Sequence, residues 1–153
     1  MVHIAGEIII GRPVEQVFDF VADERNEPRY NAQMRRADKI SEGPIGLGTQ
    51  YRAEVVSGRQ VVPMVIECTG FERPRMLASM TRMSSMDVRY ALTFDPVSQG
   101  TRMRWAGDVE PKGFLRVMTP VVGWMGRRQE RRIWTGLKLF LEGPDAPAAD
   151  ERN

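Results

Sequence analysis

The sequence is poor in the residues that most often build catalytic and metal centres. It has one histidine, His3, and one cysteine, Cys68, among 153 residues. A nucleophile–histidine device would depend on a residue at the start of the chain, and the two residues show no metal-ligand spacing. We therefore expect neither metal nor cofactor. The single cysteine excludes an internal disulfide and fits a reducing compartment.

Long apolar runs and a strong charge of one sign are also missing. No stretch approaches the 18 apolar residues typical of a membrane span, and the first ten residues lack the basic leader and cleavage site of a signal peptide. A net charge of +2 is too small to favour nucleic acid. The glycines of 43–48 precede a predicted strand, which argues against a phosphate-binding loop. We expect a cytoplasmic protein without a nucleic-acid partner or an integral membrane segment.

The composition is that of one globular domain. Hydrophobic residues make up 42% of the chain and charged residues 27%, which excludes general disorder. We place the domain at residues 1–142. Residues 143–153 are rich in Pro, Ala and charge, and they predict a disordered tail.

Residues alternate between apolar and polar in most of the chain, which predicts antiparallel strands. The first strand covers 2–10, and Pro13 opens a short helix that runs to Asp23. Another helical turn can follow before Pro28 interrupts it. Six further strands are predicted at 33–41, 49–57, 60–71, 75–83, 86–95 and 101–110.

A long amphipathic helix is predicted from Pro120 to Glu142, and the residue pattern also allows a start at Gly113. Its predicted apolar face holds Gly126, Gly136 and the polar Gln129. Glycine costs a helix interior about 1 kcal/mol relative to alanine, so the two glycines indicate that space or close backbone approach is wanted there. We interpret this face as the roof of a cavity.

Four segments resemble the helix-grip superfamily. They are residues 8–23 with the strand-to-helix opening, residues 26–30, the turn 46–51, and the turn 71–75. This superfamily includes polyketide cyclases and dehydratases, StAR-related lipid-transfer domains and birch-pollen-allergen-like proteins. The resemblance implies an α+β fold in which a curved seven-stranded antiparallel sheet wraps around the long C-terminal helix, with one or two short helices after the first strand. It leaves function open, because the matching segments are strand ends and turns.

The predicted cavity would be lined by apolar, adaptable side chains with few polar groups. The candidate lining residues are Tyr51, Met64, Met80, Tyr90, Met103, Trp105, Met118, Met125, Gly126, Gln129, Ile133 and Gly136. Gln129 and a tyrosine would orient a ligand, since buried polar groups need partners. Glu67 and Tyr90 are weak catalytic candidates, and the direction of Glu67 and Arg82 is left open.

Three functions follow from these features. The first is binding of a hydrophobic small molecule, such as a lipid, polyketide or aromatic metabolite, by a carrier or sequestering protein. The second is a cyclase or dehydratase that uses the same cavity. The third is a partner-binding module built on Trp124 and the arginines 127, 128, 131 and 132, which otherwise form a solvated face. Transient membrane contact and a monomeric or homodimeric state both stay open.

Overall fold

A computed structural model describes residues 1–147. In chain order, the elements are β1 (Val2–Ile10), α1 (Val14–Ala22), a first 3₁₀ helix (Glu24–Arg29), β2 (Met34–Lys39), β3 (Gln50–Ser57), β4 (Gln60–Glu72), β5 (Met76–Arg82), β6 (Met86–Val97), β7 (Gly100–Pro111), a second 3₁₀ helix (Gly113–Arg116) and α2 (Thr119–Glu142). The seven strands form one sheet in the order β1-β7-β6-β5-β4-β3-β2. Every neighbouring pair is antiparallel.

The predicted helix-grip architecture is confirmed. Consecutive strands from β2 to β7 pair as a meander, while β1 pairs with β7 and carries the start of the chain to the sheet edge. The register shifts in β2 between Met34 and Arg36 and in β4 between Cys68 and Gly70. Such irregularities bend the strands in which they occur. The long helix then lies against the sheet, with most of its strand contacts made to β1.

The long helix begins at Thr119, which decides between the two predicted starts. The segment from Gly113 to Arg116 is a separate 3₁₀ helix. The Thr119 hydroxyl donates to the Arg116 carbonyl at 2.7 Å, and Pro120 occupies the first turn, where its missing N–H costs nothing.

The buried face of α2 differs from the prediction. Ile133, Trp134, Leu137 and Leu141 are buried. At 100° per residue, this face is rotated by roughly 80° from the predicted one. The predicted face was defined by small and apolar residues and did not include Trp134. In the structure, Trp134 fixes the rotation of α2 about its axis, because its large ring packs among Tyr30, Tyr90 and Trp105.

The buried side chains form two main groups. The larger group joins α1, β5, β6, β7 and the second half of α2, with Phe18, Phe94 and Leu137 fully buried. The smaller group lies on β2, β3 and β4 and contains Tyr51 and Met64. The two groups do not merge into one core, and the space between them is where the candidate site lies.

The described end of the chain includes part of the predicted tail. Gln16 Nε2 donates to the Pro147 carbonyl at 3.2 Å, so residues 143–147 run beside α1. The remainder of that tail, residues 148–153, lies outside the described residues. No helix within residues 1–147 is long and apolar enough to cross a membrane.

Candidate ligand cavity

A cavity of about 200 Å³ lies between the sheet and α2. Its wall takes residues from both buried groups, with Leu92 and Trp134 on one side and Tyr51 and Met64 on the other. The cavity therefore occupies the gap between the two groups. Strands β3 to β6 supply half of the lining residues, mostly from their inward faces, because alternate residues of a strand share one face.

The strand side of the cavity is mainly apolar. Met64, Ile66, Leu77, Val88 and Leu92 project into it from β4, β5 and β6. Burial of apolar ligand surface against such a wall is worth roughly 25 cal/mol per Å². This side can hold a hydrophobic body without directional contacts.

The opposite side carries an acidic edge on the first 3₁₀ helix. Asp23 starts that helix, with its side chain accepting a hydrogen bond from the Arg25 backbone N–H at 3.1 Å. Side chains three residues apart eclipse each other in a 3₁₀ helix. Glu24, Glu27 and Tyr30 consequently all reach the cavity wall.

These two glutamates are held differently. Asn31, which is buried, donates from Nδ2 to Glu27 Oε1 at 2.9 Å. Glu24 is partly buried beside Glu27 and has no cationic partner within residues 1–147. Burial raises the pKa of Glu24 well above its usual value, and the neighbouring Glu27 carboxyl raises it further.

A third carboxyl reaches the cavity from α2. Glu130 accepts a hydrogen bond from Trp134 Nε1 at 3.0 Å and a short one from the Tyr90 hydroxyl. Trp134 Nε1 also lies 2.8 Å from the Tyr90 oxygen, so the three polar groups form a closed triangle. Glu130 and Trp134 are one helical turn apart, which brings both to the same face.

Burial raises the pKa of Glu130 to about 7. The charge of Glu27 raises it too, while the hydrogen bonds from Tyr90 and Trp134 lower it and only partly offset burial. The pKa of Tyr90 is raised by its own burial and then by the Glu130 charge. Glu130 can thus hold or release a proton near neutral pH, whereas Tyr90 stays a hydrogen-bond donor.

No lysine, arginine or histidine of the described chain lines this cavity. Its polar end is therefore acidic, and it suits a group that donates hydrogen bonds or carries positive charge. The three carboxyls do not form a metal centre, because no three His, Cys, Asp or Glu side chains of residues 1–147 come together as metal ligands.

The structure brings five of the predicted lining residues into the cavity wall. They are Tyr51, Met64, Tyr90, Gln129 and Ile133. The Tyr51 hydroxyl donates to the Ala22 carbonyl at 3.4 Å, and Tyr90 belongs to the Glu130 triangle. Gln129 lies at the exposed rim of the cavity, so it does not form the buried polar contact that the sequence suggested.

The other predicted lining residues lie elsewhere. Met103 and Trp105 are buried in the larger hydrophobic group, where they pack against other side chains. Met80 alternates with the inward Ser79 and Thr81 and lies on the outer face of β5. Met118 and Met125 are exposed because the buried face of α2 is rotated from the predicted one.

The two helix glycines do not enlarge the cavity. A Cβ at Gly136 would overlap the Tyr30 carbonyl oxygen, so this glycine permits close approach of two backbones. A Cβ at Gly126 would meet only Ile4 Cγ2, at 3.8 Å, and that contact is an ordinary one. Of the two predicted reasons for glycine, close approach applies at Gly136, and neither glycine lines the cavity.

Glu67 is not a cavity acid. It points to the outer face of β4, where its carboxylate lies 3.7 Å from Arg82 Nη1 and accepts a hydrogen bond from Gln50 Nε2 at 3.4 Å. Arg82 is exposed on the same outer face. Of the two weak catalytic candidates, only Tyr90 faces the cavity.

Glu24, Glu27 and Glu130 are the polar residues that sequence reasoning missed. A signal existed at the first two, because Glu24, Glu27 and Tyr30 repeat every three residues after a capping aspartate. The predicted interruption at Pro28 is wrong, since the 3₁₀ helix continues through Pro28 to Arg29. The sequence around Glu130 indicates a solvent-exposed residue and not a cavity residue. Glu130 stands among four arginines, which is the usual composition of a solvated helix face.

Fold and site together define a helix-grip protein of the kind that binds hydrophobic ligands. The chain matches the family described as "Polyketide cyclase / dehydrase and lipid transport" over residues 1–139. It therefore belongs to that family, as the resemblance implied. No curated protein matches it in sequence.

Solved structures of similar fold support the architecture. A START superfamily protein from Mycobacterium smegmatis has a TM-score of 0.80 at 15% identity, over 92% of this chain and 97% of that chain. The protein TTHA0849 from Thermus thermophilus has a TM-score of 0.76 at 16% identity, over 89% and 94%. Ara h 8.0201 has a TM-score of 0.63 at 12% identity, over 88% and 97%. At these identities, the likeness concerns the fold alone.

Proposed function

We propose that this protein binds one hydrophobic small molecule in the cavity between the sheet and α2, as a carrier or sequestering protein. The observation that carries the proposal is the cavity itself, which separates two buried hydrophobic groups that would otherwise merge. Packed cores rarely keep such volume empty, since unfilled space forfeits dispersion contacts. A bound apolar body would restore those contacts.

The ligand should combine an apolar body with a polar group that donates hydrogen bonds, such as an alcohol or an amine. Leu77, Leu92 and Ile66 would enclose the body. The donor group would lie against Glu24, Glu27 and Glu130, which face the cavity without a cation among the described residues. A carboxylate in the same place would meet like charges and lose affinity.

A pair of fluorescent probes tests both parts of this proposal. 1-Naphthylmethylamine and 1-naphthoate share their ring system and differ in charge. At pH 8, we expect the amine to bind at least tenfold more tightly than the carboxylate, measured by fluorescence titration. Equal affinity for both probes would contradict the role of the carboxyls, and no binding of either would contradict the cavity's role.

Matched variants locate the binding. Thr81→Leu adds volume inside the cavity, while Thr93→Leu makes the same change on the exposed outer face of β6. We expect the first variant to weaken amine binding strongly and the second to leave it unchanged. Native mass spectrometry of protein purified from its own host would then identify the natural ligand.

Acid–base catalysis is the second candidate, and one observation favours it. Glu130 has a pKa of about 7 and lies beside the Tyr90 hydroxyl. An enzyme that forms an enolate needs this pairing, with one group to accept the proton and a hydrogen-bond donor to stabilise the enolate oxygen. The Glu130 carboxylate would remove a proton from a carbon next to a ketone. Tyr90 would stabilise the enolate oxygen, and the proton would return from Glu130.

Deuterium exchange distinguishes the catalytic function from the carrier function. The probe is 1-(2-naphthyl)butane-1,3-dione in D₂O, with exchange at its C2 position followed by NMR. Catalysis predicts faster exchange that rises with pH through about 7 and is lost in Glu130→Gln. Binding of the diketone without faster exchange would contradict catalysis and support the carrier function.

A further inference from the structure

The outward face of α2 combines exposed apolar side chains with unpaired arginines. We define the exposed helix face by Val121, Trp124, Met125, Arg128, Arg132 and Leu139. At 100° per residue these six positions fall within about 60° of one direction, opposite the buried face around Leu137. Trp124 is 60% exposed and Leu139 is 69% exposed. A helix face adapted only to water would carry polar residues at these positions.

The apolar surface continues onto the second 3₁₀ helix and the turn that follows it. Phe114 and Val117 are each 77% exposed just before α2 begins. The exposed helix face itself spans about 27 Å from Val121 to Leu139, at 1.5 Å per residue. The exposed apolar side chains therefore extend from the second 3₁₀ helix along the outward face of α2.

The charge of this surface has one sign. Between Lys112 and Leu139 the only acidic residue is Glu130, and its carboxyl turns into the cavity. Arg128 lies over the Trp124 ring at 5.7 Å. Neither Arg128 nor Arg132 forms an ion pair with any described residue. On the sheet, by contrast, Arg104 is paired with Glu7.

We propose that the exposed helix face is a docking surface for an anionic phospholipid bilayer. The apolar side chains would enter the boundary between headgroups and acyl chains, and the arginines would contact lipid phosphates. Trp124 is suited to that boundary because its indole joins an apolar ring to a polar N–H, and Phe114 adds apolar area beside it. The exposed apolar side chains follow the length of α2 and suit an extended surface. The unpaired positive charge beside them requires that this surface be negative.

Vesicle binding tests the proposal on the complete chain. Co-sedimentation with vesicles of 70% phosphatidylcholine and 30% phosphatidylglycerol is compared with pure phosphatidylcholine vesicles. We expect binding to the anionic vesicles that falls with salt, and much weaker binding to the neutral ones. Equal binding to both, or none to either, would overturn the proposal.

Two charge variants separate the docking surface from general basicity. Arg128→Gln with Arg132→Gln should lower partitioning by about 30-fold, since each basic residue near an anionic surface contributes about a factor of five. Arg52→Gln with Arg59→Gln removes two exposed arginines of the β3–β4 region instead. An equal loss in this control would show nonspecific attraction and would contradict the proposed face.

Tryptophan emission reports on contact directly. Trp105 and Trp134 are buried, so a blue shift on adding anionic vesicles should come from Trp124 and should disappear in Trp124→Phe. Val121→Ser should weaken binding without altering the circular dichroism spectrum, because its side chain is exposed. Concentration-dependent dimerisation that Val121→Ser abolishes, without vesicle binding, would assign the surface to a second copy of the chain and overturn the membrane proposal. None of these measurements depends on occupancy of the cavity.

Discussion

Glu130 lies on the buried side of α2 with two hydrogen-bond donors and no cation beside it within the described chain. Its pKa of about 7 exceeds the usual 4.5 because burial disfavours the charged form. The ionised carboxylate therefore destabilises the folded state. This effect is absent below about pH 4.5, grows as the pH rises, and is complete above about pH 7. The shift corresponds to about 3 kcal/mol at high pH.

Replacing Glu130 by glutamine should therefore raise stability in a pH-dependent way. Glutamine keeps the shape and can still pair with Tyr90 and Trp134, but it cannot ionise. We expect Glu130→Gln to increase the urea midpoint at pH 8.5 and to change it little at pH 4.5. A gain independent of pH would mean that the carboxyl does not titrate in the folded state as described.

Glu142 provides a control of opposite sign. Its carboxylate accepts a hydrogen bond from Lys138 at 2.9 Å, which lowers its pKa. A lowered pKa contributes stability above pH 4.5 that is lost as the pH falls. Glu142→Gln should thus reduce the urea midpoint slightly at pH 7, with the difference vanishing near pH 3. A larger loss at low pH would contradict this linkage.

At the scale of elements, the first 3₁₀ helix and α2 place the polar groups of the cavity. The 3₁₀ geometry puts Glu24 and Glu27 on one edge, and α2 brings Glu130 and Trp134 to the same region one turn apart. The two elements contact closely at Gly136, where the helix backbone meets the Tyr30 carbonyl. This contact fixes the distance between the acidic edge and the helix.

Two glycines of α2 should consequently respond in opposite ways to alanine. Gly136→Ala forces the helix away from Tyr30, and we expect a loss of about 1–3 kcal/mol in the free energy of unfolding. Gly126→Ala meets only an ordinary contact with Ile4, so better helix propensity should give a gain of up to about 1 kcal/mol. Chemical denaturation measures both, and similar effects at the two positions would contradict this account.

At the scale of the whole molecule, the cavity separates two hydrophobic groups that share one sheet. Space of this kind lowers the stability of the empty protein and serves binding when occupied. Any ligand that binds only the folded state raises stability, by about 2.7 kcal/mol at a concentration 100 times its Kd. A substitution that fills the cavity should therefore raise the stability of the unliganded protein and lower its affinity for the ligand.

Thr81→Leu, in the cavity wall, should show both changes. Filling the cavity should raise the free energy of unfolding of the unliganded protein by about 1 kcal/mol, because apolar volume replaces empty space. The same variant should lose the stabilisation that 1-naphthylmethylamine gives to the unsubstituted protein, as measured by thermal denaturation. Unchanged stabilisation by the amine would place its binding outside this cavity.

Several features of the fold were predictable because they follow from local periodicity. The strand alternation of 86–95 and 101–110 agrees with β6 and β7, and the predicted turns at Gly58 and Pro74 follow β3 and β4. The phase of α2 was predicted wrongly, since its apolar residues spread over more than one face. Which face is buried depends on the partners of Trp134, and these come from distant parts of the chain.

The sequence by itself determined the order of strands and helices, the helix-grip class and the shortage of nucleophilic and metal-binding residues. Each of these depends on spacing or composition within short segments. Only the tertiary structure decided that Glu24, Glu27 and Glu130 share one cavity and that Glu67 lies outside it. Burial and the charge of neighbours set the chemistry of a carboxyl, and both are properties of the packed molecule that no local pattern contains.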